Sequence, residues 1–80
     1  MMTAYQEAIE FLAQGMTPQE LIAFRPSADA SARFEWLIGK EKSEGLLVEE
    51  REELERAMEV ERVLSLAKAR ARTKLAQRAA

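Results

Sequence analysis

The sequence has 80 residues, a length that predicts one small domain over residues 1–80. It contains neither Cys nor His, which excludes disulfides and thiolate sites and removes the commonest metal ligand and general base. Twelve basic and 14 acidic residues give a net charge of −2, which argues against the basic domain expected of a general nucleic-acid binder.

Two short helices are predicted first. Thr3 is a candidate N-cap for a helix over residues 3–14, which Gly15 would end. Thr17 is the candidate N-cap of a second helix over residues 18–24, with Pro at its first position and Glu where a capping box requires it. Their predicted core-facing residues are Tyr5, Ala8, Ile9, Phe11, Leu12, Leu21, Ile22 and Phe24.

A third helix is predicted over residues 28–44, with Ser27 as its N-cap and Gly45 after its end. A fourth is predicted over residues 48–78, which contain neither Gly nor Pro and would span about 45 Å. Such a helix is longer than the three short helices are expected to cover. The predicted core-facing residues here are Ala30, Phe34, Leu37, Ile38, Ala57, Val60, Leu64, Ala67, Ala71 and Leu75.

The predicted fold is therefore all-α, with three short N-terminal helices packed against one long C-terminal helix. No apolar run approaches the roughly 20 residues of a membrane span. Two Glu residues interrupt the apolar pattern near the N-terminus, and no basic segment precedes it, so a signal peptide is not expected. We expect a cytoplasmic protein that does not enter a membrane.

No motif points to catalysis. The seven Glu residues between 49 and 61 alternate with Arg around a helix, which favours a solvated face over a metal site or a pair of catalytic carboxylates. The three Gly residues are scattered and make no phosphate-binding loop. The expectation is a protein that is not an enzyme and has no cofactor and no metal.

The long helix has apolar residues on two sides. A helix that packs only against its own small domain should have one apolar stripe and one polar face, although single exposed apolar residues are normal on any surface. Two separated sectors favour contact with a second chain, either a protein partner or another copy in a homodimer. The candidate partner-binding residues are Trp36, Met58, Val60, Val63, Leu66 and Arg70.

Charge is divided along the same helix. Residues 49–62 have a net charge of −4, whereas residues 63–80 have five basic residues and no acidic ones. Three interpretations remain open: cations that stabilise a helix C-terminus, contact with an acidic protein surface, and contact with nucleic acid. A membrane-surface helix would need bulkier apolar residues. The residues that could contact nucleic acid are Lys68, Arg72, Lys74 and Arg78.

Four segments, with their order and spacing, carry a resemblance that covers almost the whole chain: "GMTP" at 15–18, "AFRPS" at 23–27, "EKSEGL" at 41–46 and "EVERVLSLAKARAR" at 59–72. In these the chain resembles a family of short all-helical bacterial proteins, largely cyanobacterial, that are often encoded beside small nuclease-like or toxin-like genes. The resemblance implies an antitoxin-like role. The chain differs at Leu47–Val48, where relatives place Ser or Thr before Pro, so the start of the long helix is less defined.

The predicted function is a non-catalytic, antitoxin-like module that docks on a partner protein, such as a toxin or nuclease, through its long helix. The alternative is a dimeric nucleic-acid-binding regulator that uses the basic C-terminal segment. A structural subunit of a larger assembly is a third possibility.

Overall fold

The computed structural model describes the backbone of residues 2–79 and the side chains up to Arg78, and its only regular elements there are four helices. These are α1 (Ala4–Gln14), α2 (Pro18–Ala23), α3 (Ala28–Ser43) and α4 (Val48–Ala79). The all-α prediction is confirmed. The predicted helix boundaries agree with the structure to within one residue.

The first three helices begin at side-chain caps that the local sequence encodes. The Thr3 hydroxyl accepts a hydrogen bond from the Gln6 backbone N–H (3.2 Å), and the Gln6 side chain accepts one from the Thr3 N–H (2.9 Å). Thr17 and Glu20 make the same reciprocal pair, at 3.1 Å in both directions. The Ser27 hydroxyl caps α3 by accepting from the backbone N–H three residues later. All three predicted caps are confirmed.

The fourth helix begins after Leu47, whose side chain cannot cap it, and the Glu50 side chain instead binds a backbone N–H at this helix start. The Glu50 carboxylate accepts a hydrogen bond from the Leu47 backbone N–H at 2.9 Å and from the Lys40 Nζ of α3 at 2.8 and 3.0 Å. These donors lower the pKa of Glu50, the Lys40 bond contributing most. Glu50 is buried, so the prediction of a wholly solvated acidic face is wrong at this position.

The short helices cover α4 along most of its length, in an order that differs from chain order. Helix α4 has 32 residues, about 48 Å, and the molecule is 51 Å in its longest dimension. Helices α1 and α3 both lie along the N-terminal half of α4, and α2 lies beside its C-terminal third. Buried or half-buried residues of α4 therefore run from Glu50 to Leu75, and the prediction that α4 is too long to be covered is wrong.

The core is narrow and rich in Ala. The predicted apolar stripe of α4 is confirmed, but Leu54, which the sequence analysis missed, is also buried. In α1 the prediction is wrong for Ile9 and Leu12, which are exposed; instead Phe11 stacks on Phe24, with ring centroids 4.3 Å apart. The buried apolar residues are Ala8, Ala30, Leu37, Leu54, Ala57, Leu64 and Ala71.

Candidate partner-binding surface

Three large apolar side chains lie on the side of α4 that faces away from the other helices. Met58 is 55% exposed, Val63 54% and Leu66 68%. At about 100° per residue they occupy the half of the helix opposite the buried Ala57 and Leu64. We call Met58, Val63 and Leu66 the outer face of α4. The second apolar sector that the sequence predicts consists of Met58, Leu66 and Ala69, with Val63 at its edge, and the fold leaves these residues exposed.

Arg70 extends this outer face toward the C-terminus. Val63, Leu66 and Arg70 follow the i, i+3, i+7 spacing of one helix side, so their side chains lie in a row. Arg70 is exposed and also lines a shallow groove of about 250 Å³, whose other wall is the start of α2. Its guanidinium is therefore available to an acidic group that approaches along the row.

Trp36 is 47% exposed and lies between two cations. The Arg33 guanidinium carbon is 4.8 Å and the Lys40 Nζ 5.1 Å from its ring. Both cations are tied to α4, Arg33 by two hydrogen bonds to Glu53 (3.0 and 3.1 Å) and Lys40 by its pair with Glu50. Both cations make favourable cation–π contacts with the indole ring. Arg33 is three residues before Trp36 and Lys40 is four residues after it, so the sequence alone indicates that both cations lie beside Trp36 on α3.

Trp36 and Met58 lie on opposite flanks of the α3–α4 contact. The cations that flank Trp36 pair with Glu53 and its neighbour on one flank of the α3–α4 contact. Arg51, which is on the same side of α4 as Met58, pairs instead with Glu41 on the other flank (3.5 Å). Trp36 and Met58 therefore lie on separate surfaces.

Val60 is the candidate partner-binding residue that the structure assigns to the interior. It is half-buried and lines a cavity between α4, α1 and the end of α2, together with Ala8 and Phe24. Val60 therefore packs within the domain, as its place in the predicted apolar stripe indicates, and its contact with a partner stays a prediction. The reason is geometric, because Val60 lies on the same side of α4 as the buried Ala57 and Leu64.

The basic residues of α4 do not converge on one face. Lys68 is half-buried and its Nζ donates a hydrogen bond to the Phe24 carbonyl oxygen at 2.8 Å. Its contact with nucleic acid stays a prediction. Arg72 lines the cavity beside it, whereas Lys74 lines the groove against α2. Arg78 is exposed near the end of the helix. The four cations therefore lie on more than one side of α4.

Two further findings concern metals and membranes. Within residues 2–78, no three acidic side chains are placed together as metal ligands would be. None of the helices within residues 2–79 combines the length and the apolar character that crossing a bilayer requires.

Comparison of the chain with models of protein families, with curated proteins and with solved structures found no match.

Proposed function

We propose that this chain is a non-catalytic, antitoxin-like protein-binding module that docks on a partner protein through the outer face of α4. The observation that carries the proposal is the exposure of Met58, Val63 and Leu66 on a helix whose opposite side is already filled by α1, α2 and α3. Burying one such side chain fully contributes about 1.5–3 kcal/mol relative to leaving it exposed.

The geometry of the outer face fits recognition of a helix by a groove. In that mode one side of a helix inserts apolar anchors spaced at i, i+3 and i+7 into a hydrophobic groove of the partner. Val63 and Leu66 are apolar anchors at this spacing, and Arg70 follows them as a charged one. The partner is therefore expected to have an apolar groove with an acidic group at one end.

The resemblance to antitoxin-like proteins favours a toxin or nuclease as the partner, restrained because the docked helix blocks access to its active site. A second copy of this chain is a compatible occupant of the same face, since two α4 helices could pack through Val63 and Leu66. Both occupants require the outer face, so the same substitutions test both.

The test compares two double variants that add the same charge to α4. Val63→Asp with Leu66→Asp places two carboxylates in the outer face, whereas Thr73→Asp with Gln77→Asp places two at exposed polar positions of the same helix. The molar mass of each protein is measured by analytical ultracentrifugation at several concentrations, alone and with the product of the neighbouring gene. Circular dichroism confirms that each variant is helical.

We expect the wild type and the Thr73/Gln77 variant to sediment above the 9.1 kDa of one chain, as a homodimer or as a complex with the partner. The Val63/Leu66 variant should remain at the mass of one chain. Binding of this variant with wild-type affinity would show that the outer face is not the docking surface. A wild type that stays monomeric at high concentration and does not bind the neighbouring product would contradict the proposed function.

A further inference from the structure

A cavity of about 280 Å³ lies on the covered side of α4, away from the outer face. It is bounded by α1, by the segment that joins α2 to α3, and by the middle of α4. Three cations, Arg25, Lys68 and Arg72, line it together with a single acid, Glu61. Its apolar wall consists of Ala4, Ala8, Phe24, Pro26, Ala57, Val60 and Leu64.

Two of these cations meet at one oxygen atom. The Phe24 carbonyl accepts a hydrogen bond from Lys68 Nζ at 2.8 Å and another from Arg25 Nη1 at 2.7 Å. The same Arg25 nitrogen is 3.1 Å from the carbonyl oxygen of Ile22. A neutral backbone oxygen thus positions two positive charges side by side. Arg72 follows Lys68 by one turn of α4, so its side chain is on the same side of the helix.

This positive charge is not balanced by an ion pair. Within residues 2–78, Arg25, Lys68 and Arg72 make no salt bridge, and the Glu61 carboxylate accepts a hydrogen bond from the Ser65 hydroxyl at 3.2 Å. Burial lowers the pKa of Lys68, and the charges of Arg25 and Arg72 lower it further, while Glu61 opposes them. Repulsion among like charges in a half-enclosed site would be relieved by an anion.

We propose that this cavity binds a phosphate-class oxyanion. Lys68 has three N–H donors and each guanidinium has five, and only some of them are used by the backbone carbonyls. Guanidinium groups match the oxygens of a phosphate with paired hydrogen bonds, and charge-assisted bonds of this kind are the strongest that such groups make. Glu61 disfavours a second anionic group but can accept a hydrogen bond from a hydroxyl. The ligand is thus either free hydrogen phosphate or a phosphate monoester.

The test titrates the full chain with sodium phosphate and follows backbone amide resonances by NMR, with sodium chloride at equal ionic strength as the reference. Arg72→Gln is the main variant. The Arg72 guanidinium makes no hydrogen bond within residues 2–78, so its loss should leave the fold intact. Lys74→Gln is the matched control, since it removes one charge from the same helix but lines a different groove. Arg25→Gln is a second variant that removes one of the paired cations.

We expect phosphate to shift the backbone amides of Phe24, Arg25 and Lys68. We expect Arg72→Gln to weaken phosphate binding by about fivefold or more, with less than about twofold loss in Lys74→Gln. Tighter binding of adenosine monophosphate than of phosphate would identify a monoester as the ligand, and equal binding would identify free phosphate. Phosphate effects no larger than those of chloride, or equal losses in Arg72→Gln and Lys74→Gln, would overturn the proposal. The outer face is untouched in these variants, so the result is independent of partner docking.

Discussion

Leu37 and Leu66 provide a direct test of the fold, because the same substitution should reduce the free energy of unfolding strongly at Leu37 and hardly at all at Leu66. Leu37 is the largest fully buried side chain and lies among α1, α3 and α4, whereas Leu66 is the most exposed of the outer-face residues. Leu→Ala removes the same carbon atoms in both cases. The neighbours of Leu37 include Ala30 and Ala57, whose small side chains cannot close the resulting cavity.

The expected magnitudes follow from this difference in burial. Replacing a buried Leu by Ala costs about 2–5 kcal/mol of unfolding free energy, and we expect about 3 kcal/mol at Leu37 because the site cannot collapse. A substitution at an exposed site usually changes stability by less than about 0.5 kcal/mol, which is our expectation for Leu66→Ala in the monomer. For a domain of this size, about 3 kcal/mol lowers Tm by roughly 12–24 °C.

The assay is urea unfolding followed by circular dichroism, at two protein concentrations that differ by a large factor. If Leu37→Ala were no more destabilising than Leu66→Ala, the placement of Leu37 in the core would be refuted. Should Leu66→Ala destabilise the protein only at the higher concentration, a second copy covers the outer face, in agreement with self-association. A large loss at both concentrations would show that Leu66 packs within the monomer, contrary to the structure.

Three further outcomes are expected from urea unfolding of single variants. Gly45 has a φ of +88°, so Gly45→Ala should destabilise the protein by about 1 kcal/mol. Gly39 lies inside α3 with open space at its Cβ position, so Gly39→Ala should stabilise the protein by about 0.5–1 kcal/mol. A change of the same sign in both variants would contradict this reasoning. Thr17→Ala should cost about 1 kcal/mol and Thr17→Ser much less, since Ser retains the cap; equal losses would refute the capping role. The lowered pKa of Glu50 stabilises the folded state above pH 4.5, and this stability is lost as the pH falls through the folded-state pKa. Glu50→Gln should therefore lose less free energy of unfolding on acidification than Glu49→Gln. Identical pH profiles would count against the Lys40–Glu50 pair.

The part of the fold that the sequence predicts is the part that local chemistry determines. Thr17 can cap only the N–H groups that follow it, and Gly45 is needed where the chain turns with positive φ, so helix boundaries follow from neighbouring residues. The apolar stripe of α4 was predictable for the same reason, because its period depends only on helix geometry. The exposure of Met58, Val63 and Leu66 also follows from that period.

The remainder depends on contacts between residues far apart in the chain. Lys68 appears free when its own segment is considered, but the Phe24 carbonyl that binds its ammonium lies 44 residues earlier. Glu50 belongs by composition to a solvated acidic run, yet Lys40 of α3 approaches it in the fold. The cavity with its three cations requires the order of the short helices along α4, and no local pattern specifies that order.

That order also has a consequence for how the protein forms during synthesis. Helices α1, α2 and α3 leave the ribosome before α4, and each of them has its most extensive helix–helix contact with α4. Among the three, α1 contacts α3 and its cap, where Ser27 donates hydrogen bonds to Glu7 at 2.6 and 2.7 Å. Phe11 of α1 also stacks on Phe24 at the end of α2. Before α4 is made, the nascent N-terminal half lacks the surface on which its helices pack most extensively. We therefore expect it to acquire lasting structure only after the final helix has been translated.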